Sequence, residues 1–197
     1  MPSDRPGRAW VLPVLAFTLV AAAQLPLALN PGYFSHDELQ WAAFAANGAS
    51  ADWTAIDQFQ YRPLTFGLWL WLSRALFDAP PLFHAVLVAA GAANAALAAL
   101  VARRLGAPPG PALAGAMLFG VGPHAMYVHG WIGTIGDVLW LGLGLLAAWL
   151  ATWRRLPPVA AAIATAAATL LALTAKEAAV AIPALLVLGA WLAASPG

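Results

Sequence analysis

Long runs without charge alternate with short polar clusters along this chain. A membrane-spanning α-helix needs about 20 consecutive, mostly apolar residues. Five of the uncharged runs are long enough to hold one, and a sixth, shorter run reaches this length when Asp137 is included near its end, so the pattern predicts an all-α, polytopic bundle of about six spanning helices. They form a single transmembrane domain over residues 1–197, and the predicted spans are 9–29, 82–102, 111–128, 135–153, 157–175 and 178–195.

The composition supports an integral membrane protein. Sixty-two per cent of the residues are hydrophobic and 9% are charged, whereas a soluble domain carries about 25% charged residues. Nine basic and eight acidic side chains cannot cover a soluble globule of this size, which excludes a soluble enzyme and a disordered chain. The net charge of +1 excludes a polybasic nucleic-acid binder. The sequence has no cysteine, which excludes disulfide and thiolate chemistry.

The first predicted span has an alternative interpretation as a cleaved signal peptide. A basic start precedes it, and Ala21-Ala22-Ala23 offers a cleavage site. The apolar sequence continues to Leu29, which favours a spanning helix. Both interpretations place the next segment outside the cytoplasm.

Residues 64–78 are apolar, but they are too few to span and they include Arg74. Such a segment is more often interfacial or re-entrant. If it does not span and the N-terminus is cytoplasmic, six of the nine cations lie inside, as the positive-inside rule requires; they are Arg5, Arg8, Arg103, Arg104, Arg154 and Arg155. If it spans, both later arginine pairs move outside. We therefore expect a multi-pass protein, for example of a cell inner membrane, with its active face periplasmic or otherwise extracytoplasmic.

The outer loop, residues 30–63, carries the first candidate chemistry. Ser35 and Glu38 have the spacing of a capping box, so a short interfacial helix is expected to begin there, and Asn47-Gly48 is expected to end it. A carboxylate at Asp37, next to the lipid boundary, can act as a general base or hold a cation. The alternative is that His36, Asp37 and Glu38 are ordinary solvated loop residues.

A second polar cluster, Lys176-Glu177, interrupts an apolar stretch near the end of the chain. A charge at the bilayer centre costs about 2.5–3.5 kcal/mol, so these residues are expected to form a polar turn between the last two spans. The same residues can instead bind an anionic headgroup or position a catalytic carboxylate. Asp137 enters the fourth span, where the helix dipole favours an acid.

Four groups of residues carry a family resemblance. Asp37-Glu38 follows the first span, and Tyr61-Arg62-Pro63-Leu64 precedes the short tryptophan-rich segment. Pro123, Trp131-Ile132 and Asp137 precede the fourth span, and Leu171 to Glu177 with Pro183 form the Lys-Glu turn. In this order they resemble the N-terminal half of a GT-C-type membrane glycosyltransferase. That group includes the protein O-mannosyltransferases, the lipid A aminoarabinose transferases and the tetratricopeptide-linked mannosyltransferases.

The resemblance implies a mechanism and roles for seven residues. The donor is a polyprenyl-phosphate-linked sugar in the outer leaflet of the bilayer, and a hydroxyl of a protein, lipid or glycan attacks its anomeric carbon with inversion. Asp37 and Glu38 are the catalytic carboxylates, and Lys176 and Arg62 bind the donor phosphate. Glu177, Asp137 and His36 support them, and a divalent cation such as Mg²⁺ or Mn²⁺ is an open expectation with Asp37 as a candidate ligand.

Members of that group continue through further helices and often a soluble domain, so this chain is expected to correspond to an N-terminal part, active or inactive. One alternative is a non-catalytic polytopic protein, such as a transporter half or an assembly subunit. A transporter is expected to place polar residues near the bilayer midplane, whereas here they gather at one boundary. Another alternative is a membrane hydrolase that uses His36, Asp37 and Glu38 with a metal.

The topology is testable by labelling single cysteines on this cysteine-free background. Leu105→Cys and Leu156→Cys should react with a membrane-impermeant maleimide only after the membrane is permeabilised, because both lie in predicted cytoplasmic loops. Labelling of either cysteine in intact cells would contradict the topology.

Overall fold

The computed structural model describes residues 10–56, 60–153 and 155–194, and within that part the chain is all α-helical with no β-strand. The predicted cytoplasmic cations Arg5, Arg8 and Arg154 lie outside the described residues. In the described ranges, 3₁₀ turns at Ile132–Thr134 and Glu177–Ala181 lie between helices. The ten helices of the described part are α1 (Val11–Ala23), α2 (Leu25–Ala28), α3 (His36–Ala46), α4 (Pro63–Leu76), α5 (Pro80–Arg104), α6 (Pro109–Val121), α7 (Pro123–Gly130), α8 (Ile135–Ala151), α9 (Pro158–Leu173) and α10 (Ile182–Ala194).

Two helical stretches of the described chain, Pro80–Arg104 and Ile132–Ala151, are long and apolar enough to cross a membrane by length and composition. The other apolar helices are shorter, and they are Val11–Ala23, Pro109–Val121, Pro158–Leu173 and Glu177–Trp191. The all-helical class is therefore confirmed, whereas the number of six spans stays a prediction.

Two of the predicted spans are interrupted rather than continuous. The first breaks at Gln24, between α1 and α2, just before Pro26. The third breaks at Gly122, whose backbone is extended (φ −63°, ψ 162°) before Pro123. Proline lacks the N–H that would continue the helix and disfavours the helical conformation of the residue before it. The prediction of uninterrupted helices was wrong at these two points.

Helix α5 lies at the centre of the bundle and packs against α1, α6 and α8. Its contact face is built from small side chains, and Ala92, Ala95 and Ala99 are fully buried. Small side chains at these positions let the helix backbones approach closely, and this approach supplies van der Waals contact along the face.

Buried polar side chains connect the helices of this core. Gln24 Nε2 donates to the carbonyl of Gly120 at 2.6 Å, and Gln24 Oε1 lies 2.8 Å from His129 Nδ1. Asn94 Nδ2 donates to the carbonyl of Val138 at 2.9 Å. Each contact joins two different helices or the break between them, because a polar group in an apolar interior must find a partner.

Gly91 allows α5 to approach His129 closely, because a Cβ built at this position would overlap the imidazole ring of His129. We expect Gly91→Ala to lower the free energy of unfolding by about 1–3 kcal/mol, the usual cost of overpacking a filled core. Gly115→Ala on α6 is the matched control, since nothing lies within 4 Å of a Cβ at Gly115. Unfolding by SDS in mixed micelles, followed by circular dichroism, measures both; equal stability of the two variants would contradict the close packing.

Candidate functional site

The outer loop begins with the helix that the sequence predicts. Ser35 is the N-cap of α3, and Glu38 completes the capping box by accepting a hydrogen bond from the Ser35 backbone N–H at 3.0 Å. The helix ends at Asn47, and Gly48 follows with φ +78°, in the left-handed region that favours glycine. The short helix and both of its predicted ends are confirmed.

Glu38 also connects α3 to the turn before α8. Its Oε2 accepts from the backbone N–H of Phe34 at 2.6 Å, and its Oε1 accepts from that of Ile132 at 3.0 Å. Trp131 Nε1 donates to Ser35 Oγ at 3.1 Å beside it. Glu38 is 1% exposed, so this carboxylate is occupied by three backbone donors. Glu38 therefore connects the start of α3 to the turn before α8 and stabilises the position of the outer loop.

Asp37 lies beside Glu38 but points into a different environment. Its side chain is 40% exposed, and its Oδ1 lies 3.1 Å from His36 Nε2. Its position in the first turn of α3 is favourable for a negative charge because of the helix dipole. Of the two predicted catalytic carboxylates, Asp37 is therefore the one that an external hydroxyl can reach.

Helix α3 packs along α4 through an aromatic stack. The ring of Trp41 lies nearly parallel to those of Phe66 and Trp69, with centroids 4.7 and 4.8 Å away. At the other end of α3, Arg74 Nε donates to the carbonyl of Ala45 at 3.0 Å. Helix α4 is the segment predicted to be interfacial or re-entrant, and it is held to the outer loop along its length.

The far end of α4 is also bound to the outer loop. The ring of Tyr33 stacks on Phe77 at 4.7 Å, and its hydroxyl donates to the carbonyl of Phe77. The pKa of Tyr33 is raised to about 12, mainly because the phenol is partly buried and also because the negative charges of Glu38 and Asp78 are nearby. This phenol therefore stays protonated and keeps donating at physiological pH.

The second polar cluster brings together four predicted residues from three parts of the chain. Lys176 Nζ lies 2.6 and 2.7 Å from the two carboxylate oxygens of Asp137. Arg62 donates through Nε to Glu177 Oε2 at 2.7 Å and through Nη2 to Glu177 Oε1. Two ion pairs therefore lie next to each other at the Lys-Glu turn, and their formal charges cancel.

Backbone contacts bring these segments together. The N–H of Leu64 donates to the carbonyl of Thr174 at 3.0 Å, and Thr65 Oγ1 donates to that of Ala175 at 2.6 Å. A Cβ at Gly136 would lie 2.9 Å from Thr65 Oγ1 and 3.3 Å from the Ala175 carbonyl oxygen. The starts of α4 and α8 therefore meet the turn after α9.

Three further residues belong to this cluster without having been predicted from the sequence, and they are Thr65, Gly136 and Trp140. Trp140 Nε1 donates to Asp137 Oδ1 at 3.3 Å, one turn along α8. The i, i+3 spacing of Asp137 and Trp140 was a usable signal for that contact. Thr65 and Gly136 gave no comparable signal, because their importance comes from a backbone approach between segments far apart in sequence.

The two ion pairs differ in exposure. The side chains of Lys176 and Asp137 are 24% and 19% exposed, whereas Glu177 is 65% exposed against 19% for Arg62. The hydrogen bonds from Arg62 hold the pKa of the Glu177 carboxyl, in the turn between the last two predicted spans, below its usual range. Glu177 is therefore a charged and largely solvated partner of a mostly covered guanidinium.

A groove of about 290 Å³ opens beside Arg62, between α3, the segment after it and the start of α4. Its lining includes Trp41, Phe44, Tyr61, Arg62 and Phe66. Asp37 precedes Trp41 by four residues, and Trp41 precedes Phe44 by three, so the three side chains follow one face of α3. The groove is lined by the Trp41 and Phe44 part of α3, with Arg62 at its edge, and Asp37 lies one turn before Trp41 and is not part of its lining.

No group of three or more histidine, aspartate or glutamate side chains in the described residues is placed to hold a metal ion.

This chain matches no protein-family model, no curated protein and no solved structure.

The two neighbouring carboxylates of α3 allow a direct test of their different surroundings. We expect Glu38→Gln to lower the free energy of unfolding by about 2–3 kcal/mol, because a neutral amide cannot satisfy all three buried N–H donors. Asp37→Asn should change it by less than about 0.5 kcal/mol, as is usual for an exposed position. SDS titration of both variants provides the comparison, and similar losses would contradict the structural role of Glu38.

Proposed function

We propose that this chain is a GT-C-type membrane glycosyltransferase, or the N-terminal part of one, that uses a polyprenyl-phosphate-linked sugar on the outer face of the membrane. The observation that carries the proposal is the meeting of Arg62, Asp137, Lys176 and Glu177 beside an aromatic groove. These residues were selected from the sequence for their order along the chain, and they converge from positions up to 115 residues apart.

The proposed topology has six spans with the N-terminus in the cytoplasm. At about 1.5 Å per residue, α1 with α2 extends about 27 Å and α6 with α7 about 33 Å, which approaches the 30 Å of a typical hydrocarbon core. Large apolar side chains point outward from the bundle, for example Leu118, Ile163 and Leu170 at 76%, 66% and 65% exposure. A lipid environment accounts for this exposure, and water does not.

The arrangement of α4 fits an in-plane position at the outer boundary. Its start contacts the Lys-Glu turn through Arg62, and its end contacts the outer loop through Phe77 and Arg74. A helix whose two ends both contact outer segments does not cross the bilayer. This supports the topology in which the arginine pairs of the short loops stay cytoplasmic.

In the proposed reaction, Asp37 accepts the proton of the acceptor hydroxyl. The hydroxyl oxygen attacks the anomeric carbon, the bond from that carbon to the phosphate oxygen breaks, and the electron pair leaves with the polyprenyl phosphate. Configuration at the anomeric carbon inverts. Asp37 suits the base because it is accessible, whereas Glu38 fixes the helix that carries it. His36, next to Asp37, supports the proton transfer.

The leaving phosphate needs fixed positive charge where its own charge develops. Arg62 supplies a planar fork of donors at the groove, and Lys176 supplies a compact charge next to it. Asp137 orients Lys176 and Glu177 orients Arg62. We assign no step to a divalent cation such as Mg²⁺ or Mn²⁺, because the described residues gather no set of three ligands around the candidate Asp37.

The competing functions fit these contacts less well. A transporter needs polar side chains that line a path, whereas Gln24, Asn94 and His129 are buried and bonded to neighbouring helices. A hydrolase with a metal on His36, Asp37 and Glu38 would need the Glu38 carboxylate, which three backbone N–H groups already occupy.

Sugar transfer in nanodiscs tests the proposal directly. With polyprenyl-phosphate mannose and polyprenyl-phosphate aminoarabinose as donors, the wild-type chain should transfer sugar, and Asp37→Asn should lower kcat by about 10²–10⁴-fold, as expected for loss of a general base. Asp78→Asn, at an exposed carboxylate after α4, is the control and should keep full activity. Undiminished transfer by Asp37→Asn would remove Asp37 from the mechanism, and no transfer from any donor would contradict the function.

A further inference from the structure

In the Arg62–Glu177 ion pair, the carboxylate of Glu177 occupies the position at which Arg62 would bind an external anion. We propose that Glu177 occupies the position that the donor phosphodiester takes on Arg62, so that binding exchanges one anion for the other. Glu177 then stays beside the site and makes it select singly charged phosphodiesters. This inference rests on the proposed function and adds a residue that sets its donor specificity.

The geometry of the pair supports the exchange. Arg62 donates through two different nitrogens, Nε and Nη2, to the two oxygens of one carboxylate. A phosphodiester presents two non-bridging oxygens and one negative charge, and this matches the same fork of donors. The guanidinium therefore needs no new rotamer to accept the phosphate.

Exposure decides which partner moves. Arg62 is mostly covered and lines the groove, whereas the Glu177 side chain is 65% exposed. When the Glu177 carboxylate leaves this pair, it moves into a setting that it already shares with solvent, and the covered guanidinium is not left unpaired, because the phosphate takes the same two donors. Release of Glu177 therefore costs little, and Arg62 stays at the groove.

The neighbouring pair behaves differently. Lys176 and Asp137 are both about four-fifths covered, Lys176 contacts both oxygens of Asp137, and Trp140 holds one of them. Separation of such a pair leaves a poorly solvated charge without a partner, which is costly. Lys176 therefore keeps Asp137, and Arg62 is the cation that changes its partner.

The charge balance gives the selectivity. The four side chains of the cluster sum to zero, so a phosphodiester monoanion brings the site to −1 with Glu177 still nearby. A diphosphate, with two or three negative charges, meets the displaced carboxylate at close range and is repelled more strongly. Glu177 thus disfavours ligands with a second phosphate.

Binding of three probes to the purified chain in phosphatidylcholine nanodiscs tests the exchange. The probes are methyl farnesyl phosphate, farnesyl diphosphate and dimethyl phosphate, measured by isothermal titration. Wild type should bind the lipid phosphodiester more tightly than the diphosphate. Glu177→Gln should tighten the phosphodiester by about 1.4- to 5-fold, which corresponds to the strength of an exposed pair, and should tighten the diphosphate by a larger factor. Arg62→Gln should lose binding of both.

Controls separate the exchange from a merely structural ion pair. Asp78→Asn removes an outer carboxylate that is not in the cluster and should leave all affinities unchanged. Thermal unfolding confirms that each variant is folded, and Glu177→Ala, which also removes the negative charge, replaces Glu177→Gln if that variant is unstable. Equal or weaker phosphodiester binding by a folded Glu177 variant overturns the exchange, and an unchanged preference over the diphosphate overturns the selectivity.

Further outcomes identify the kind of ligand and show whether the exchange or the proposed function fails. Dimethyl phosphate that binds as tightly as the lipid probe would overturn a lipid-borne ligand in favour of a soluble one. A chain that transfers sugar but shows no Glu177 effect overturns the exchange alone. A chain that shows the exchange without transfer contradicts the glycosyltransferase proposal and retains the anion site.

Discussion

The pairing of Lys176 with Asp137 is the interaction on which the geometry of the site depends. It joins the turn after α9 to the start of α8, and it does so at a place where apolar helices surround both charges. Without Asp137 the ammonium group would stay poorly solvated and unpaired, so the turn would move toward water. Glu177 follows directly in the chain, and its approach to Arg62 therefore depends on the same pair.

The interior below this cluster obeys a related constraint. Alanine-rich faces let α5 contact its neighbours closely, but such contacts do not fix the register between two helices. The register is fixed by the hydrogen bonds of Gln24, Asn94 and His129, because each polar side chain must reach a particular carbonyl or side chain. The few polar side chains therefore set helix positions that the many apolar ones only permit.

The sequence predicts local features of this protein better than distant ones. The capping box of Ser35 and Glu38 and the end of α3 at Asn47 depend on neighbouring residues, and both were predicted. The breaks at Gln24 and Gly122 were missed, although Pro26 and Pro123 signalled them, because the uncharged runs looked continuous.

The partners of the charged residues could not be predicted in the same way. Scarce charges in an apolar chain are expected to pair, but which acid meets which base depends on helix packing across 39 residues for Lys176 and Asp137 and 115 for Arg62 and Glu177. Glu38 was expected to be catalytic, and its contact with Ile132, 94 residues away, adds a structural role that its position in the sequence did not signal.

Helix α3 has one property that follows from being fixed at both ends. Glu38 ties its first turn to Ile132, and Arg74 ties its last turn to α4. Two hydrogen bonds near opposite ends of a helix about 16 Å long fix both its position and its rotation. Ile132 lies three residues before α8, so the segment that leads to Asp137 is bonded directly to the first turn of α3. The orientation of the Asp37 side chain is therefore set by the same contacts that position the start of α8.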